Sequence, residues 1–439
     1  MNLPEHVKAC LSDLENAGFS AYAVGGCVRD WLLGLTPQDY DLCTAATPTE
    51  IKKVFQDFPM VLAGEKHGTV GIVVDKQVVE ITTFRTEGEY LDHRHPDRVE
   101  FVTDIALDLS RRDFTVNAMA WSPVRGLADP FGGTADLKAG ILRAVGTPAL
   151  RFTEDALRIL RGVRFAVRYR LIPEPETETA MNTLAPLMDS LARERVFDEL
   201  CKLLPLMEVQ DFVRYGNILG QVLPALKPLM GFSQHSRFHA YDIFTHTAHA
   251  VAAAPRDLTI RWAALLHDIG KPGCFTLDEA GEGHFYGHAQ ESARMADHIL
   301  HQLKAPTALR ERVVLLIDKH MTPLQPDRKL LRHRLCQHGE DALQQLLQLQ
   351  KADYAATGKA GDASDYTAVE VLLAELLLEK PPMTAKNLAV SGHDVMALGY
   401  SGPAVGQALN WLLEQVLDEK LPNLRQELLD ALYNRREKP

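Results

Sequence analysis

The chain has 439 residues, 46% of them hydrophobic and 24% charged, with a formal net charge of −11. That is the make-up of a globular protein of about two to four domains, and it excludes a disordered chain or a uniformly basic nucleic-acid binder. No stretch approaches the ~20 apolar residues of a membrane helix, and the start MNLPEHVKAC lacks the regions of a signal peptide, so no membrane partner and a cytoplasmic location are expected. Six scattered cysteines without a CxxC pair fit reduced thiols.

In chain order, residues 3–17 read as an amphipathic helix and Tyr22–Val24 as a strand entering the Gly25-Gly26 pair, from which a helix over Cys27–Leu33 starts. Amides at such a junction are open to an anion because no Cβ blocks its approach. After a turn at Gly34–Pro37, Asp39 and Asp41 lie two apart in an expected second strand, so both carboxylates share a face. Hard oxygen ligands beside a phosphate cradle suit Mg²⁺, and the chemistry that needs them is nucleotidyl transfer, with two ions roughly 4 Å apart. Short β-rich runs follow at Val70–Val74, Val78–Phe84 and Val99–Val102, and Glu80 is the candidate third carboxylate. A Gly pair alone reads equally as a turn, and an acidic pair as a solvated edge.

The order GGCVRDWLLG then Asp39-x-Asp41 resembles the signature of the polymerase-β nucleotidyltransferase superfamily, in the class II branch that holds bacterial CCA-adding enzymes and poly(A) polymerases. Residues 85–101 resemble the flexible loop of complete CCA-adding enzymes, with His95 where the family carries an Arg. Arg111–Ala118 resembles the RRDFTxNA motif that handles nucleotide sugar and triphosphate, which gives Arg112, Asp113 and Asn117 that role by resemblance. Gly25, Gly26 and Arg29 are expected at the phosphates, and Asp129–Gly133 resembles the family's hinge.

From about residue 147 the pattern turns helical, with Arg143, Arg151, Arg158, Arg161, Arg164, Arg168 and Arg170 crowded together as an RNA-holding stripe or a solvated helix face. Asp155 and Arg158 stand at i and i+3, an intrahelical ion pair or a base-reading pair. Cytosine and adenine present an amino donor beside an unprotonated ring nitrogen, so a carboxylate with a guanidinium accepts C and A and leaves groups unpaired against U and G. The segment resembles the family's EDxxRxxR motif, which adds Arg161, and Arg195–Glu199 resembles the RxxxE element that buttresses it.

The second half carries a different pattern. His246, the adjacent His267-Asp268 in an apolar helix, and Asp353 resemble the H…HD…D set of the HD phosphohydrolases, with His288 and His320 at additional ligand positions. Imidazoles with carboxylates suit a second divalent ion, Mn, Fe, Co, Ni or Zn. His239 and His249 read as packed or exposed, and the tail from Leu388 resembles the part of the bacterial enzymes that reaches the tRNA elbow.

The expected fold is α+β: a mixed-sheet head (1–145), a helical neck (146–215), an HD body (216–360) and a helical tail (361–439). The expected activity is CCA addition to tRNA 3′ ends from CTP and ATP, by a monomer or homodimer with Mg²⁺. Rivals are a poly(A) polymerase, whose basic GRRF-type segment is absent between Phe58 and Glu80, an HD phosphohydrolase whose head only binds RNA, and a silent tRNA chaperone.

Overall fold

The computed structural model describes residues 1–87, 99–236, 239–358 and 364–436; most of the expected loop around His95 lies outside the described residues. The chain falls into two compact units, Met1–Leu206 with Arg214–Pro224, and Met207–Val213 with Ala225–Pro439.

In the first unit, α1 (Glu5–Asn16) buries Val7, Cys10, Leu11 and Leu14, the spacing of one helix face. Then follow β1 (Ala21–Val24), α2 (Gly26–Leu32), β2 (Leu42–Thr44), α3 (Pro48–Val54), β3 (Met60–Val61), β4 (Thr69–Val74), β5 (Gln77–Thr83), β6 (Arg85–Glu87), β7 (Val99–Phe101), α4 (Ile105–Ser110), β8 (Ala120–Ser122) and β9 (Gly126–Ala128). Seven strands form one sheet in the order β3-β4-β5-β2-β1-β8-β9. Only β2 and β5 run parallel in it, so the sheet is mixed, as expected. Its register is set by burial: Ala23 opposes Leu42, Leu42 opposes Ile81 and Ile81 opposes Val70, all fully removed from water.

The same unit continues through α5 (Gly133–Ala139), β10 (Ile141–Leu142), α6 (Pro148–Glu154), α7 (Leu157–Tyr169), β11 (Ile172–Pro173), α8 (Pro175–Thr183), α9 (Arg193–Leu203) and α10 (Val209–Val222), whose first residues belong to the second unit. Phe114 packs between Phe152 and Phe165, at ring distances of 6.4 and 5.9 Å, and so ties the RRDFT segment to α6 and α7. A Cβ at Gly162 would stand 3.0 Å from the Phe114 ring, so any larger residue would have to push that ring aside. The expected hinge is a tight packing point: a Cβ at Gly133 would sit 2.2 Å from the Thr115 carbonyl oxygen, and the Asp129 carboxylate accepts from the Gly133 and Thr134 amides.

The second unit is largely helical: α11 (Ile243–Ala253), α12 (Leu258–Leu266), a small hairpin of β12 (Thr276–Leu277) and β13 (Gly283–His284), then α13 (His288–Gln302), α14 (Thr307–Lys319), α15 (Arg328–His338), α16 (Glu340–Ala355), α17 (Ser364–Glu379), α18 (Gly392–Ala397), α19 (Pro403–Leu417) and α20 (Arg425–Arg436). Asp242, Asp257 and Asp327 start α11, α12 and α15 by accepting from first-turn amides. Val395, Leu412, Leu428 and Leu432 centre a separate apolar cluster over α18 to α20. All six cysteines are free. No helix among the described residues is long and apolar enough to cross a membrane.

Candidate functional site

β1 ends at Val24, and Gly25, at φ 76°, turns the chain into α2. The Gly25 amide is committed to Met119 O at 2.9 Å, so it is not among the open donors that the glycine pair suggests. The turn faces a guanidinium instead: a Cβ at Gly25 would stand 2.9 Å from Arg112 Nη1.

Asp39 and Asp41 precede β2 instead of lying within it. The partner strand β1 ends where Gly25 turns away, so the last ladder bond runs from the Val24 amide to Asp41 O (3.0 Å) and nothing pairs with Asp39. The parallel register carries a further consequence. With Leu42 opposite Ile81, one step back sets Glu80 beside Asp41, on the face away from the buried pair. All three carboxylates are exposed, and among the described residues none forms a hydrogen bond or ion pair. Desolvation raises the Asp41 carboxyl above its ordinary range, the Arg112 guanidinium opposes this, and Asp39 adds to it. Free, hard carboxylate oxygens are the type of donor that a divalent cation such as Mg²⁺ takes.

The remaining head residues form a buried ionic network. Arg29 donates to Asn117 Oδ1 (2.5 Å), Asp30 Oδ1 (2.7 Å) and the Tyr169 hydroxyl (2.5 Å), and its guanidinium lies 4.3 Å from the Tyr169 ring centre. Its charge is thus met inside the protein, which makes it a brace between α2 and α7 in place of the open phosphate ligand that the motif suggests. Asp113 accepts from Arg161 Nη2 and Nε (2.7 and 2.9 Å), Asn117 Nδ2 (3.0 Å) and the Phe114 amide (2.9 Å).

In the neck, the helix expected across Asp155 is broken. Asp155 adopts φ −142°, ψ 102° between α6 and α7, so the Arg158 amide still bonds to Asp155 O (3.0 Å) but the expected side-chain ion pair does not form. Asp155 Oδ2 accepts from Arg195 Nη2 (2.7 Å) and Oδ1 from the Leu157 amide (3.0 Å). Arg158 pairs with Glu154 (2.6 Å) and donates to the Arg111 and Arg151 carbonyls. Glu199, four residues after Arg195, holds Arg164 at 2.5 Å and lies 3.8 Å from Arg161. The RxxxE element therefore fixes both ends of the arginine-rich segment.

In the second unit the six singled-out residues meet at one point. His246 Nε2 lies 2.9 Å from Asp353 Oδ1 and 3.5 Å from Asp268 Oδ2, and His267 Nε2 is 3.2 Å from Asp268 Oδ2. His288 Nε2 is 3.4 Å from Asp268 Oδ1 and 3.2 Å from His320 Nε2. Each of the four imidazoles turns Nδ1 to a backbone carbonyl, of Ala356, Ala264, Phe285 and Ile317. That contact leaves Nε2 as the ligand atom. His246, His267 and Asp268 form one set of donors with metal-binding spacing, and Asp268, His288 and His320 a second. Both Asp268 oxygens are buried without a hydrogen bond, although Lys271 Nζ lies 2.7 Å from Oδ2. Burial opposes a proton on His267, but Asp268 and Asp353 outweigh it and push the ring up to about 10, whereas burial and His267 hold His320 down at about 4. The residues fit a divalent transition metal, which would supply the positive charge that this dry cluster of carboxylates requires.

A cavity of about 660 Å³ opens on this cluster, lined also by Lys271, Tyr286, Tyr354 and Tyr366. His239 lines it too, its ring centre 5.0 Å from that of His246, while His249 stacks on Tyr241. Sequence reasoning passed over Asp108, Glu154, Tyr169 and Lys271. Asp108 and Lys271 carried a signal in their i, i+3 spacing to Arg111 and Asp268, but Tyr169, 140 residues from Arg29, carried none.

Comparison with known proteins agrees with this geometry. Residues 21–143 match the poly A polymerase head domain, residues 171–214 the RNA and SrmB binding site of polymerase A, and residues 285–432 tRNA nucleotidyltransferase domain 2. The CCA-adding enzyme of Levilactobacillus brevis is 36% identical over 439 residues, covering 98% of each chain. That of Streptococcus gordonii is 34% identical, covering 98% of this chain and 97% of the relative. The crystal structure of the Bacillus stearothermophilus CCA-adding enzyme in complex with CTP superposes with a TM-score of 0.71 at 27% identity, over 99% of this chain and 98% of that one. The fold of the Thermotoga maritima CCA-adding enzyme complexed with tRNA is also shared, with a TM-score of 0.58 at 20% identity, over 99% of this chain and 97% of that one. Head and sheet thus define a nucleotidyltransferase, of a kind that uses a divalent metal. The chain belongs to the CCA-adding enzymes, which are tRNA nucleotidyltransferases.

The buried network gives a pH dependence. Burial alone would raise the Asp113 carboxyl, but Arg161 and the Asn117 hydrogen bond outweigh it and hold it at about 2. A carboxyl lowered in the folded state contributes stability above its unfolded pKa and loses it as pH falls through the folded value. Asp113→Asn is therefore expected to cost on the order of 2 kcal/mol near neutral pH and progressively less between about pH 4 and pH 2. Denaturant unfolding across that range checks this, and a cost independent of pH would contradict it.

Proposed function

We propose that this chain completes tRNA 3′ ends, adding C, C and A from CTP and ATP without a nucleic-acid template and releasing pyrophosphate. The observation that carries this reading is the parallel β2–β5 register, which sets Glu80 beside Asp41, with Asp39 at hand and Arg112 against the Gly25 turn. Asp39, Asp41 and Glu80 would hold Mg²⁺. When bound, the metal favours ionisation of the attacking RNA hydroxyl and neutralises the triphosphate. The glycine turn, with Gly25 and Gly26, gives the phosphates room, and Arg112 offers them charge-assisted donors. Arg29, Asp113, Asn117 and Arg161 keep the turn and α7 in place.

Base choice falls to Asp155 and Arg158. Arg195 aims the Asp155 carboxylate and Glu154 steadies Arg158, so both groups are preset. Asp155 retains lone pairs for the amino group of C or A, and Arg158 can donate to the neighbouring ring nitrogen. Uracil and guanine would leave buried donors and acceptors facing their like, at about 1–3 kcal/mol each. The test supplies tRNA lacking its end with one labelled nucleotide at a time. The intact protein should add C, then A, and Asp155→Ala should admit UTP and GTP about tenfold or more readily relative to CTP. Long A tracts without C addition would identify a poly(A) polymerase, and unchanged discrimination in Asp155→Ala would remove the base-reading role.

A second activity is favoured by the convergence of four Nε2 atoms on Asp268. His246, His267, Asp268, His288, His320 and Asp353 would hold Mn, Fe, Co, Ni or Zn in an HD-type site. Such a metal acidifies water and polarises a phosphoryl oxygen, the chemistry of phosphate-ester hydrolysis. Lys271 projects into the same cavity and would attract a phosphate anion, while Gln234 Oε1, 2.9 Å from Nζ, fixes its ammonium. Asp268→Ala should lower the transition-metal content of the purified protein and abolish phosphodiesterase activity while sparing C and A addition. Elemental analysis and the two assays check this, and loss of both activities together would mark the cluster as structural.

A further inference from the structure

Asp108 stands on α4 with none of its surface exposed, four residues before Arg112. Its Oδ1 accepts from Arg111 Nη2 (2.8 Å) and Nε (3.1 Å) and from the backbone amide of Arg85 (3.2 Å), where β6 begins. Its Oδ2 faces Arg112 Nη2 at 3.4 Å.

A carboxylate taken out of water costs several kcal/mol unless it is paired and hydrogen-bonded. Arg111 and the Arg85 amide already meet that requirement at Oδ1, the Arg111 contact being a charge-assisted one. The longer contact to Arg112 adds little to the comfort of Asp108. It matters to Arg112, whose Nε is buried without an acceptor and whose Nη1 lies against the Gly25 turn. Unanchored, a free arginine carries about 2 kcal/mol of rotamer entropy, which an incoming anion would have to overcome. Anchored through Nη2, it presents Nη1 ready placed at the Gly25 turn.

We propose that Asp108 is a positioning residue that orients Arg112 toward the triphosphate of the incoming nucleotide. This rests on the reading of the head as a nucleotide site with Arg112 at the phosphates. Asp108 touches no substrate, so its effect must pass through Arg112, and a double-mutant cycle isolates that path.

The experiment measures CTP dissociation constants by calorimetry in the full-length protein with Mg²⁺, which needs no turnover, together with KM and kcat where turnover persists. Asp108→Asn should weaken CTP about tenfold, with a smaller change in kcat. In an Arg112→Ala background the same substitution should change CTP affinity less than twofold. An equal loss in both backgrounds would overturn the proposal in favour of a purely structural role. If Arg112→Ala alone left CTP affinity unchanged, the phosphate role of Arg112 would fail, and this proposal with it. Should Asp108→Asn not fold, Asp108→Glu keeps the charge and displaces Arg112 by one methylene. Weakened CTP binding in that variant supports the positioning role, and wild-type affinity contradicts it.

Discussion

The parallel pairing of β2 with β5 is the constraint on which the head depends. Leu42 and Ile81 are opposed and fully buried, and a strand alternates its faces, so Asp41 and Glu80 can only emerge together on the other side. A slip of β2 by one residue would turn Leu42 to the face of Glu80 and part it from the buried Ile81, which opposes such a shift. Three acidic groups gathered without partners are unfavourable in isolation. Desolvation, with Asp39 adding to it against the pull of Arg112, raises the Asp41 carboxyl, and a cation bound there would offset that cost.

Around that face the protein spends much of its buried polarity on arginines. Arg29 joins α2 to Tyr169 at the end of α7, Arg161 holds Asp113, Arg164 holds Glu199, and Arg195 holds Asp155. Pairs taken out of water add little net stability compared with apolar packing, but removing one partner is costly. Their effect here is to specify position: the RRDFT segment, the broken helix at Asp155 and α9 are tied to one another by directional contacts. The same physics recurs in the second unit, where four histidines, each fixed through Nδ1, surround carboxylates that only a cation or protons can balance.

The order of motifs, the strands at Tyr22–Val24, Val70–Val74, Val78–Phe84 and Val99–Val102, the mixed sheet and the six-residue cluster of the second unit were legible in the sequence, because each rests on residue type and local spacing. Glu80 was legible as a candidate, and the register supplied the reason. What local spacing could not show was which partner each charged group takes. Reading Asp155 and Arg158 as i, i+3 neighbours assumes an unbroken helix, and the extended backbone at Asp155 passes that partnership to Glu154. Arg29 lies in a motif that suggests a phosphate ligand, yet a tyrosine far along the chain encloses it. Gly133 reads as freedom to bend, whereas the Thr115 carbonyl against it demands the absence of a side chain.

The most direct measurement is anomalous scattering from crystals grown with CTP and Mn²⁺ in place of Mg²⁺. The account predicts manganese peaks bounded by the carboxylates of Asp39, Asp41 and Glu80, with the triphosphate of CTP between them and the Gly25–Arg112 contact. Manganese absent from those side chains, with CTP bound elsewhere on the chain, would contradict it.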